Sequence, residues 1–307
     1  MTNLRVIGLL FSSVPSTTLG MPPQKFTGLV AVSQSPLIQL FYDVIPAVPI
    51  SQSRPVLVFS HSLSAATWLW DSLLPALADQ YTIVRYDIRF HGRSPLSDHP
   101  GYKYEEGHTI DDLASDVVKL LDHLGVQQAH GFVGLSIGGG IAVALAGAYA
   151  ERFSHIIVVG TRAHSTAEDE KIWEERIAFA KAEGVDSLAG RSVERWFGPA
   201  WRKENAALVA DIERRVGEQS LEGYVANVQT LRTLDLWSHA DAIGRRGDGE
   251  RVLFVAGEED AKAVVEETRA LAARAGSEVV IVEGAGHITH VQQPERFLAV
   301  LRGKLEG

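Results

Sequence analysis

The sequence predicts an α/β fold: a mostly parallel sheet with flanking helices and a helical cap inserted after the sixth strand. Three observations point there. Short apolar runs rich in β-branched residues alternate with longer stretches of helical period. The central runs, such as "PVLVFS", are apolar throughout, as expected of strands covered on both faces. The alternation then breaks between Ala163 and Arg246, where only helical patterns occur, and afterwards resumes. The chain has 307 residues, 46% of them hydrophobic, enough for one large core, so the break reads as an insertion into a single unit.

The elements follow in order. "FTGLVAVS" and "LIQLFYDVI", separated by turn-like "QSP", read as an opening antiparallel pair. "PVLVFS" is the first buried strand, and "AATWLWDSLLPALADQ" after it has helical spacing. "YTIVRYD" is the next strand. The helix "TIDDLASDVVKLLDHLG" follows, with Thr109 as its N-cap and Gly125 at its end. Strand "AHGFVGLS", helix "IGGGIAVALAGAYAERF" and strand "HIIVVG" complete the first part. The insertion holds "EDEKIWEERIAFAKAEG", "VERWF", "ALVADIERRVGE" and "LEGYVANVQTLRTLDLW". "RVLFVAG", "AVVEETRALAARAG", "EVVIVEG" and "PERFLAVLRGKLEG" then restore the strand–helix rhythm of a parallel sheet with crossover helices. The expected division is an N-terminal arm over 1–24, a core over 25–162 and 247–307, and a cap over 163–246.

Composition excludes several function classes. With no cysteine, disulfides, thiolate metal sites and a cysteine nucleophile are ruled out. The net charge of −9 argues against nucleic acid, which requires a basic footprint. The histidines are scattered, without H-E-x-x-H or a comparable metal pattern. "LRVIGLLF" is too short for a signal peptide core, so residues 1–24 are expected to form an extra strand or arm. No stretch is long enough for a membrane helix. A soluble, cytoplasmic protein acting on a small molecule is the expectation.

The segment "HGFVGLSIGGGIAV" carries the chemistry. Ser136 ends a strand and begins a helix inside G-L-S-I-G, the G-x-S-x-G pattern. A nucleophile at such an elbow sits on a strained turn, and small residues at Gly134 and Gly138 let neighbouring backbone approach. The new helix also aims free N–H groups and its positive dipole end at an oxyanion formed beside the serine. A serine is inert at its ordinary pKa and needs a base, which needs an orienting acid. Both appear in the chain order Ser, acid, His. "VAGEED" places Asp260 just past a strand end, with Glu258 and Glu259 as rivals. "EGAGHITH" places His287 in the next such loop, with His290 as its rival. The loop "FSHSLSAATWLWD" supplies a second oxyanion donor, giving the backbone N–H groups of Leu63 and Ile137 as the expected pair. His61 in that loop either lines the pocket or packs structurally.

These residues together resemble the α/β-hydrolase superfamily from about Leu37 onward, and within it the 3-oxoadipate enol-lactonase group. The likeness is carried by "VFSHSLSAATWLWD", "VRYDIRFHGRS", "VGLSIGGGIA", "ERFSHIIVVGT", "IWEERIAFAKAEGVDSL", "VERWF" and "GHITHVQQPERF". The group usually has glycine where this chain has Ser64 and Phe90, and a proline-rich turn where it has "AKAVVEE". The resemblance implies a cofactor-free lactonase or esterase in which Ser136 forms an acyl-enzyme, with His287 as base and Asp260 holding it. Carbon–carbon bond hydrolases, cofactor-free haloperoxidases and ligand receptors built on the same fold remain alternatives. The cap is where specificity is expected. Trp173, Trp196, Phe197, Trp201 and Trp237 either line a pocket or form the cap's own core. Arg162, at a strand's carboxyl end, either grips a substrate carboxylate or bridges to the cap's carboxylates.

Overall fold

In the computed structural model the described residues are 24–47, 50 and 54–307. The expected arm over 1–24 lies outside them except for Gln24, whose carbonyl accepts the Ala47 N–H. Eight strands form one sheet in the order 1-2-4-3-5-6-7-8: β1 (Phe26–Gln34), β2 (Leu37–Ile45), β3 (Val56–Ser60), β4 (Thr82–Tyr86), β5 (Ala129–Leu135), β6 (Phe153–Val159), β7 (Val252–Gly257) and β8 (Glu278–Val282). β1 pairs antiparallel with β2 and β2 with β4, and the remaining pairings are parallel. The continuous apolar runs are explained by the pleat, because each strand feeds two cores. Val58, Phe132, Val158 and Phe254 face one apolar cluster, while their neighbours Leu57, Phe59, Val133, Ile157, Val159 and Val255 face the other.

The helices are α1 (Leu74–Leu77), α2 (Ile110–His123), α3 (Ile137–Ala148), α4 (Ala167–Glu183), α5 (Ala189–Trp196), α6 (Pro199–Glu204), α7 (Ala206–Gly217), α8 (Leu221–Arg232), α9 (Trp237–Arg246), α10 (Lys262–Ala275), α11 (Thr289–Gln292) and α12 (Pro294–Glu306). Capping chemistry fixes two starts. Thr109 opens α2 in a reciprocal capping box with Asp112, and Thr166 opens α4 in the same way with Asp169. The long helix expected after β3 is instead a 3-10 segment, Thr67–Leu73, followed by the single turn α1. Pro75 is the reason: it has no N–H for the carbonyl four residues back, and its ring clashes there.

The helical insertion expected over 163–246 packs in two places. α9 belongs to the flank of the sheet. His239 on it lies 3.0 Å from Asp111 of α2, Arg246 donates to the Gly147 carbonyl of α3 at 2.7 Å, and a side chain at Gly244 would meet the Arg274 carbonyl of α10 at 2.6 Å. The rest of the insertion is α4 to α8. Its anchors are the loops after β3, β4, β6 and β8. Gln219 contacts Ala65 and Gly92, Asn227 donates to the Arg89 carbonyl, Asp169 pairs with Arg162, and the Trp196 carbonyl accepts the His287 N–H.

Candidate active site

The elbow has the strain that its sequence implies. Ser136 adopts φ 60° and ψ −114°, a conformation costly for any residue with a Cβ. The glycines around it are required by contact rather than by their own backbone angles. A Cβ on Gly134 would lie 1.9 Å from the Gly138 carbonyl oxygen, and one on Gly138 would lie 2.5 Å from that of Ser60. Ser136 donates its N–H to the Val159 carbonyl at 2.9 Å, locking the turn to β6. Within the G-L-S-I-G motif it alone keeps accessible surface, the four flanking residues being buried. The first hydrogen bond of α3 runs from Gly140 to Ser136, so the N–H groups of Ile137, Gly138 and Gly139 have no partner inside the helix.

The loops after β7 and β8 bring Asp260 and His287 together. His287 Nδ1 donates to Asp260 Oδ2 at 2.9 Å, and the side chains are only 10% and 2% exposed respectively. A carboxylate only accepts, so this bond places the proton on Nδ1 and leaves Nε2 with a free lone pair. The Ala261 N–H holds the other Asp260 oxygen at 2.7 Å. Gly160 sits against the pair, with φ 52° and a notional Cβ 3.3 Å from Asp260 Oδ2 and 3.7 Å from His287 Nδ1. It directly follows Val159, the residue bonded to Ser136, so pair and elbow flank the same turn. No described residue takes a hydrogen bond from the Ser136 hydroxyl; such bonds often close only with substrate bound. Of the rivals, Glu258 accepts from the Gly284 N–H instead. His290 is fully buried, donates to the Leu69 carbonyl at 2.8 Å and stacks on Trp70. Burial pushes it down to about 4.

The loop after β3 lies against the elbow through the Gly138–Ser60 approach. Neither Leu63 nor Ile137 donates its N–H to a described residue. His61 is structural: it accepts the Ile88 N–H at Nε2, donates from Nδ1 to the Ser62 carbonyl, and has no exposed surface. Burial holds it below the usual imidazole range. Asp87 pins the loop by accepting from Thr67 and Arg93 N–H groups. Ser64 and Phe90, the two departures from glycine, have φ 63° and 64°. With Ser136 they are the non-glycine residues of left-handed φ among those described, and all three lie in turns beside the site.

The remaining expected residues make contacts within the protein. The Arg162 guanidinium commits one N–H of each nitrogen, donating to both Asp169 oxygens at 2.9 Å and to Glu267 Oε1 at 2.8 Å. The grip on a substrate carboxylate gives way to the salt-bridge alternative, because every nitrogen already has an internal carboxylate. Trp196 and Phe197 are buried, Trp201 stacks on Phe197, and Trp196 contributes its carbonyl to His287. Trp173 is half-buried and carries the Arg176 guanidinium 5.1 Å from its ring centre. Trp237 begins α9 and packs 5.8 Å from the His164 ring.

Periodicity does not show the polar link between cap and core. Asn227, on α8 with no exposed surface, donates to the Arg89 and Gly223 carbonyls, and its Oδ1 accepts from His108. His91, stacked with His61, accepts the Ser64 N–H at 3.1 Å and lies 3.0 Å from the Asn227 amide. The cap is thus tied to the loop that carries Leu63.

A parallel sheet whose strand end turns through a strained serine into a helix, with a buried histidine–carboxylate pair beside the adjoining strand end, defines a hydrolase architecture. The chain belongs to the α/β-hydrolase family, whose model matches residues 55–294, and it is a hydrolase. It is 30% identical over 244 residues, 80% of this chain and 86% of the other, to 3-oxoadipate enol-lactonase 2 of Acinetobacter baylyi. It is 28% identical to a putative carbamate hydrolase of Caulobacter segnis, across 83% of this chain and 92% of the other. The crystal structure of the enol-lactonase from Burkholderia xenovorans superposes with a TM-score of 0.78 at 27% identity, covering 91% of this chain and all of that one.

Proposed function

We propose that the protein opens a lactone or cleaves a small carboxylic ester through an acyl-enzyme on Ser136. The Asp260–His287 bond beside the strained elbow carries this reading. His287 Nε2 takes the proton from Ser136 Oγ as the oxygen attacks the carbonyl carbon, while Asp260 holds the ring and stabilises the imidazolium. The N–H groups of Leu63 and Ile137 receive the oxyanion; one such donor is worth about 2.7–4 kcal/mol in the transition state. The carbon–oxygen bond then breaks, the leaving oxygen takes the proton from His287, and a water deprotonated by His287 releases the acid. No cofactor enters these steps. The enol-lactonase relatives favour a lactone over an acyclic ester. We read the enzyme as cytoplasmic with a small-molecule substrate, in keeping with its net charge of −9.

Steady-state hydrolysis of 4-nitrophenyl butanoate tests the proposal. Sustained cycling by the native chain is expected, with loss of at least about 10³-fold in kcat for Ser136→Ala, a residual rate remaining from binding and the oxyanion donors. A single slow event without cycling would instead mark a receptor.

A further inference from the structure

Asn227 lies in the middle of α8, where burying an amide is costly unless its polar groups are bonded. It has no exposed surface, and its bonds reach three segments. Nδ2 donates to the Gly223 carbonyl of its own helix at 2.9 Å and to the Arg89 carbonyl of the loop after β4 at 2.8 Å, while Oδ1 accepts from His108 Nε2 at 3.1 Å. Arg89 is gripped from a second side, its guanidinium donating to both oxygens of Asp116 on α2. The chain then turns through Phe90 at φ 64° and sets the buried His91 ring against the loop after β3. His91 Nε2 accepts the Ser64 N–H at 3.1 Å, and the ring stacks on His61 with 5.7 Å between centres. The Asn227 amide nitrogen lies 3.0 Å from His91 Nδ1. Because the Ser64 N–H fills the Nε2 lone pair, Nδ1 carries the proton, and this contact seats the ring without bonding it.

We propose that Asn227 is a positioning residue for the oxyanion donor Leu63, acting from the inserted helix α8 through Arg89 and His91. The Leu63 N–H shares its peptide with the Ser62 carbonyl, and in this trans peptide the two groups point opposite ways. The Ser62 carbonyl accepts from His61 Nδ1 at 2.8 Å and from the Ala65 N–H at 3.1 Å, which fixes the direction of the donor. The next peptide is fixed by the Ser64–His91 bond. It has to be, since Ser64 is a non-glycine residue at φ 63°, a conformation that persists only where its surroundings hold it. The plane of the donor therefore depends on where His61 and His91 stand, and His91 stands where Asn227 and Arg89 hold it. A second link runs beside the first: Gln219, just ahead of α8, accepts the Gly92 N–H at 3.2 Å and donates to the Ala65 carbonyl at 3.4 Å. A bonded buried network of this kind specifies one arrangement, so the donor is complete only with α8 in place. The inference rests on Leu63 receiving the oxyanion in the proposed hydrolysis and adds a residue to that machinery.

The test compares variants of the full chain. Asn227→Leu removes all three bonds. Asn227→Asp keeps the size and the acceptor for His108 but cannot donate to Arg89 or Gly223, and it decides the matter should the leucine variant fail to fold. Thr230→Val is the control, because Thr230 on the same helix is buried and donates to the His108 carbonyl at 2.7 Å, a tie between α8 and the core that does not involve Arg89 or His91. With 4-nitrophenyl butanoate, both Asn227 variants are expected to lose about 10–100-fold in kcat at nearly unchanged KM, the mark of a displaced group that acts in the transition state. Trifluoromethyl butyl ketone becomes an oxyanion when Ser136 Oγ adds to its carbonyl carbon and His287 takes the proton, so its affinity should fall by the same factor. Thr230→Val is expected to lose stability in urea while keeping the native kcat and ketone affinity. Native kcat and ketone affinity in a folded Asn227 variant, or equal losses in Thr230→Val, would overturn the inference alone. Absence of turnover by the native chain would overturn the hydrolase reading and the inference with it.

Discussion

At the scale of single residues, the site is an arrangement of strain and pairing. Ser136 is held at positive φ by its bond to Val159 and by glycines that no side chain can replace, and such a conformation costs about 1–3 kcal/mol. That cost lifts the hydroxyl out of the buried turn. Asp260 sets the tautomer of His287, so its value lies in accepting from Nδ1. Asp260→Asn offers an amide donor there instead and is expected to lower kcat about 10⁴-fold, the effect of this change in a Ser-His-Asp template. Glu258→Gln, at a residue bonded to Gly284, is expected to stay within about threefold, a change below 1 kcal/mol. Steady-state kinetics on a neutral aryl ester compares them, and a larger loss at Glu258 would displace Asp260 as the acid. The strained turn at Ser136 and the pairing of Asp260 with His287 were legible in the sequence because each residue sits just past a strand end. The role of Arg162 was not, since a strand-end position reveals neither Asp169 nor Glu267 as partners.

At the scale of elements, the loop after β4 fastens the cap to the sheet. Phe90 is 2% exposed and packs edge-on against Tyr102 and Tyr104, while its carbonyl lies so close to Gly223 that a Cβ there would approach to 2.0 Å. Two effects compete at this position. Glycine would relieve a left-handed residue by about 1–2 kcal/mol, but losing a buried phenylalanine costs about 3–5 kcal/mol. Packing wins, so Phe90→Gly is expected to destabilise the protein by about 1–4 kcal/mol in urea unfolding. A variant as stable as the native chain would show that the aromatic cluster contributes little. Strand and helix identities were legible here from apolar period and caps. What each inserted helix packs against was not. The period of α9 reports a half-buried helix without saying what covers it, and only the contacts with α2, α3 and α10 place it on the flank. The Asn227 link joins residues more than a hundred positions apart, and no local pattern encodes it.

At the scale of the whole molecule, buried neutral histidines set the response to acid. His61, His91, His108 and His290 are all held below the ordinary imidazole value, first of all by burial, with His108 and His290 pushed down to about 4. Between an unfolded value near 6.5 and these native values, the unfolded chain binds more protons. Stability therefore rises with pH through that window and is lost as pH falls from about 6.5 toward 4. Each such histidine contributes about 1.4 kcal/mol per pH unit there. Urea titrations from pH 7 to 4.5 are expected to show this slope, and His290→Gln, which can still donate to Leu69, should flatten it by about one histidine's share. An unchanged slope would mean that His290 titrates normally in the fold. The division into sheet and inserted helices was legible at this scale from the broken alternation alone, whereas the depth of each histidine depends on what folds over it.

The claim on which the rest depends is that Ser136 is the nucleophile. The most direct measurement is reaction of the native chain with a fluorophosphonate, followed by intact mass and peptide mapping. The account predicts one adduct per chain, located on Ser136 and absent from the Ser136→Ala protein. An adduct on another serine, or undiminished labelling of Ser136→Ala, would contradict it.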